Sequence, residues 1–62
     1  SPRIHMAILA GKAVVKRLFK DYTDVIFTEH NKDNKMVTLL CKRIGFKNFE
    51  QQGKSNIMVM EK

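Results

Sequence analysis

The sequence predicts a small α/β fold: two amphipathic helices packed on a three-stranded mixed sheet, in the order helix–strand–helix–strand–strand. Three observations predict it. Met36, Val37, Leu40 and Ile44 recur at helical spacing, and the run stops at Gly45. Short apolar runs rich in β-branched or aromatic residues, Val25–Thr28 and Ile57–Met60, lie on either side of that helix. Sixty-two residues make one domain at most. A strand–helix–strand crossover implies two parallel strands, to which the last strand adds an antiparallel neighbour through a hairpin.

Residues 1–5 read as an expression-tag remnant, because Ile-His-Met before an apolar helix resembles a cloning junction, and residues 6–62 read as the single domain. Met6 to Lys20 is predicted as a helix. Ile8, Leu9, Val14, Val15, Leu18 and Phe19 supply a broad apolar face, and Lys12, Lys16 and Lys20, four apart, form a basic ridge with Arg17 beside it. Gly11 weakens such a helix by about 1 kcal/mol relative to alanine. It implies a close approach, a bend, or a helix that begins near residue 11 and aims free N–H groups at whatever precedes it.

Asp21 to Asp24 is a polar break, with Tyr22 folding back on the helix. A strand is predicted over 24–29, its consecutive apolar residues implying burial on both faces. A polar loop over 29–34 follows, with His30 solvent-exposed and Asn31 or Asp33 as N-cap candidates. The second helix runs to about Arg43. Lys42 and Arg43 suit the negative end of its dipole, and Gly45 takes the left-handed position beyond it. Strands at 46–51 and 56–61 are joined by a turn at 52–55. Ile57 and Val59 alternate with Met58 and Met60, so both faces of the last strand are apolar, as in a central strand or a covered edge. Phe46 and Phe49 are assigned to the core, with stacking platforms as the alternative.

Lys and Arg number 12 against 6 acidic residues, a formal charge of +6; without Arg3 it is +5. That balance points to an anionic partner: nucleic acid, a phosphorylated cofactor or an acidic protein surface. The ridge residues Lys12, Lys16, Arg17 and Lys20 are the candidate polyanion contacts. One cysteine allows no internal disulfide, and one cysteine with two histidines makes no structural zinc site. A lone cysteine fits a reducing, cytoplasmic setting. No apolar run reaches membrane-spanning length, and Gly11 and Lys12 interrupt the apolar stretch a secretory signal would need. A chain this small gains from a partner, and a homodimer that buries the apolar strands is expected.

The stretch from Val25 onward, with Asn34, Val37, Leu40, Cys41, Gly45 and Phe46 at kept spacing and the closing KSNIMVMEK, resembles the C-terminal half of the GNAT family, the GCN5-related N-acetyltransferases. The resemblance implies a GNAT-like half-fold that binds acetyl-CoA and needs a second chain for any catalysis, because the family's upstream strands and substrate groove have no counterpart here. Gly11, Lys12 and Ala13 match the end of the family's pyrophosphate loop, whereas Ile8 stands where the family has Gln or Arg. Asn34 is implied as a cofactor contact. Cys41 stands where many members place the tyrosine that protonates the departing thiolate, and Glu29 is the candidate general base. The alternative is a non-catalytic basic binding protein on a reduced GNAT scaffold.

Overall fold

In the computed structural model, which describes residues 2–62 and their side chains from Arg3 onward, the predicted order of elements is present. Helix α1 spans Pro2–Asp21, strand β1 Val25–Asn31, helix α2 Lys35–Ile44, strand β2 Lys47–Gln52 and strand β3 Ser55–Glu61. α1 starts four residues before Met6. Proline suits a first helical turn, where its missing N–H is no loss, and Ile4 extends the half-buried stripe of Ile8, Gly11, Val15 and Leu18 by one turn. The helix is therefore continuous through Gly11 and does not begin there.

The sheet is antiparallel rather than mixed, with strand order β1–β3–β2. β1 and β2 run in the same direction but are not neighbours, because β3 returns through a tight turn at Gly53 and Lys54 and inserts between them. Ile57, Met58, Val59 and Met60 form the chain's longest apolar run in a strand, and in the central position it is flanked by side chains of β1 and β2 on both faces. Met58 and Val59 are buried on opposite faces at 0% and 4% exposure.

Register then assigns every strand side chain to a face. Ile26, Thr28, His30, Asn56, Met58 and Met60 share one face; Val25, Phe27, Glu29, Ile57, Val59, Glu61, Lys47 and Glu50 share the other. A bulge at Phe49 breaks the β2 register between Asn48 and Glu50.

α2 covers the first face. Its N-cap is Asn34 rather than Asn31 or Asp33: the Asn34 side chain accepts from the Val37 N–H at 3.2 Å. Asn31 serves the loop instead, accepting from the Asp33 N–H at 2.9 Å. At the other end Gly45 has φ 130°, and its N–H and that of Phe46 both donate to the Cys41 carbonyl, at 3.0 and 2.9 Å. α1 packs on α2 through Gly11, where a Cβ would overlap the Ile44 Cδ1 and stand 3.0 Å from its Cγ1. The glycine is thus a close-approach residue.

Little is fully enclosed. Among the described residues the buried hydrophobic ones are Cys41, Met58 and Val59, and the Cα trace is a slab of 32 × 30 × 12 Å. α1 buries a narrower stripe than its sequence suggests, leaving Leu9 and Val14 exposed, because its one extensive contact is with α2. Met36 is also exposed. Tyr22 is 75% exposed and does not fold back, and Phe49 lies at the surface rather than in the core.

Candidate functional site

The basic ridge stands on α1. Lys12, Lys16 and Lys20 are all exposed, and a rise of 1.5 Å per residue spaces them about 6 Å apart along the helix. Leu9, 54% exposed, lies on the same side. Arg17, on the neighbouring side, is tied to Asp21 one turn on, which offsets its charge. Among the described residues, the ion pairs are this one and Lys62 with Asp24 at 4.0 Å, so the three ridge lysines carry uncompensated charge. A row of free ammonium groups on a rigid helix matches the chemistry of a phosphodiester backbone.

The residues implied by the GNAT resemblance do not converge. Gly11, Lys12 and Ala13 lie in the interior of α1, where their N–H groups belong to the helical ladder, so no free N–H cradle for a phosphate exists there. Gly11 sits against the C-terminal end of α2, whereas Asn34 caps its N-terminal end, about 15 Å away along a ten-residue helix. Asn34 already uses its side-chain oxygen as a cap. Gly11 and Asn34 thus stand at opposite ends of α2 rather than side by side.

Cys41 and Glu29 lie on opposite sides of the sheet. Cys41 is buried under α2, where burial pushes its thiol pKa up, opposed by hydrogen bonding with the Thr28 side chain. Glu29 points to the uncovered face. A buried thiol and a carboxylate separated by a sheet cannot share one reacting atom.

His30 is not a loop residue. β1 continues through it because Asn56 pairs with it across β3. Its Nε2 lies 2.7 Å from the Thr38 Oγ1, and its Nδ1 is buried without a partner. The Thr38 hydroxyl also reaches the Asn34 carbonyl at 3.3 Å. With the hydroxyl proton given to that carbonyl, Nε2 donates and Nδ1 keeps a lone pair. This chain of contacts ties β1 to the first turn of α2. No group of three metal-ligating side chains occurs among the described residues, and no described helix is long and apolar enough to cross a membrane.

The second surface feature escaped sequence reasoning. The sheet face away from α2 exposes Val25, Phe27 and Phe49, with the two phenylalanine rings edge to face at 5.2 Å. A hollow of about 430 Å³ lies among Phe27, Thr28, Glu29, Phe49 and Ile57. The expected burial of β1 on both faces does not hold: Val25, Phe27 and Glu29 alternate onto the open face and are exposed, because no element covers it.

Comparison with known protein families, with curated proteins and with solved structures gives no match.

Proposed function

We propose that this chain is a basic binding module without catalytic activity of its own, and that its ligand is a polyanion, with nucleic acid as the leading class. The single observation that carries this reading is the ridge of Lys12, Lys16 and Lys20: exposed, on one helix, without carboxylate partners among the described residues. The separation of Cys41 from Glu29 favours it over acyl transfer. The test is binding to a short DNA duplex across a salt series. Each phosphate neutralised contributes about −0.9 to the slope of log K against log salt, so three lysines contribute about −2.7. Replacing all three lysines by glutamine should remove that share. An unchanged slope, or no binding at low salt, would refute the reading.

The acetyltransferase-like reading is the second. It rests on the Asn34-to-Phe46 spacing, which corresponds to one capped helix running towards a strand, and on an uncovered sheet face that a completing chain would occupy. Amide shifts at Ala10–Val14 and Asn34 on adding acetyl-CoA, absent with inorganic polyphosphate, would favour it.

A further inference from the structure

The glutamates of this protein are gathered on one face of its sheet. The chain carries +6, yet all three of its glutamates, Glu29, Glu50 and Glu61, lie on the uncovered sheet face. Glu29 and Glu50 both pair with Ile57, one from each neighbouring strand, so two carboxylates flank the centre of that face. Beside them stand Phe27 and Phe49, 54% and 59% exposed, forming walls of the 430 Å³ hollow. Lys47 is the one basic strand residue on this face.

The protein also exposes more surface than its size requires. A 7.2 kDa monomer has an accessible surface of about 4,100 Å². This chain has 4788 Å², roughly 700 Å² more. A second copy laid face to face would set glutamates against glutamates, which disfavours that pairing. A cationic segment suits the face. Lysine or arginine stems lie along aromatic rings while their heads reach carboxylates. At physiological salt the Debye length is about 8 Å. An approaching segment therefore meets chiefly the charge of the face it touches.

We propose that the open face of the β1–β3–β2 sheet docks a basic polypeptide segment, one that carries lysine or arginine among apolar residues. This site is separate from the α1 ridge and does not depend on it.

The test is an amide NMR titration of the full chain with a synthetic lysine–leucine peptide. Shifts should centre on Phe27, Glu29, Phe49, Glu50 and Ile57, whereas a glutamate–leucine peptide should shift α1 instead. The double variant E29Q/E50Q should weaken the lysine peptide about tenfold, from two surface ion pairs. Lys47→Glu should tighten it, a gain that a folding defect cannot produce. Shifts elsewhere, or an affinity indifferent to these variants, would overturn the proposal. Sedimentation equilibrium in which the peptide-free chain doubles its mass, and does so more strongly in E29Q/E50Q, would assign the face to a second copy and overturn it too.

Discussion

Replacing Gly11 by alanine sets two effects of known sign against each other. Alanine in a helix interior gains about 1 kcal/mol over glycine. The new Cβ would overlap the Ile44 Cδ1 and stand 3.0 Å from Cγ1. Ile44, the last residue of α2, is half-buried; its Cδ1 can rotate away, but its Cγ1 stands in the same contact and must move as well. Overpacking of this kind costs about 1–3 kcal/mol. The net expectation is a loss of roughly 0–2 kcal/mol.

Ile44→Val removes Cδ1 and alone should cost about 0.5–1.5 kcal/mol. In that background Gly11→Ala should become neutral or stabilising, because the propensity gain remains while the overlap is relieved. The double-mutant cycle would then show a coupling of about 1–2 kcal/mol. Urea unfolding of the four chains, followed by far-UV circular dichroism, measures every term. If Gly11→Ala stabilises equally in both backgrounds, α1 does not meet α2 at this point and the packing role of Gly11 is refuted.

Two further predictions concern α2. Asn34→Ala should destabilise by about 1 kcal/mol through loss of the N-cap to Val37, while Asn34→Asp should cost far less; urea midpoints distinguish this capping role from a ligand-contact role, which would leave stability unchanged. Cys41 should make the fold sensitive to alkali. Its pKa is raised in the folded state by burial, so below the ordinary thiol value of 9.0 both states are protonated and nothing changes. Above it the unfolded thiol ionises first and stability falls as pH rises, a decline that Cys41→Ala should lack in unfolding measured at neutral pH and near pH 10.

Much of the fold was legible because its signals are local. The Met36–Ile44 periodicity and Gly45 mark α2, and a glycine cap acts within a few residues of chain, whereas the N-cap expected at Asn31 or Asp33 falls on Asn34. The break at Asp21–Asp24 and the turn near Gly53 are likewise short-range. Errors arose where position depends on a distant segment. His30 read as a loop residue because its own neighbours are polar, yet pairing with Asn56 keeps it in β1. Gly11 admitted three readings, and Ile44, thirty-three residues on, selects the close approach. Cys41 and Glu29, each a candidate through the resemblance, lie on opposite sides of the sheet, a placement that no local signal encodes.

The sequence by itself determined the number, type and order of the elements, the glycine cap of α2 and the basic ridge of α1. Each follows from periodicity, glycine and capping chemistry, or charge spaced along one helix. The tertiary structure decided which strand lies in the middle, and so the rest. Placing β3 between β1 and β2 buries the most apolar strand on both faces. The same step makes the sheet antiparallel, gathers Glu29, Glu50 and Glu61 on one face, and leaves Phe27 and Phe49 uncovered. Strand pairing is a long-range choice: a side-chain period of two tells which residues share a face within a strand, but not which strand lies alongside.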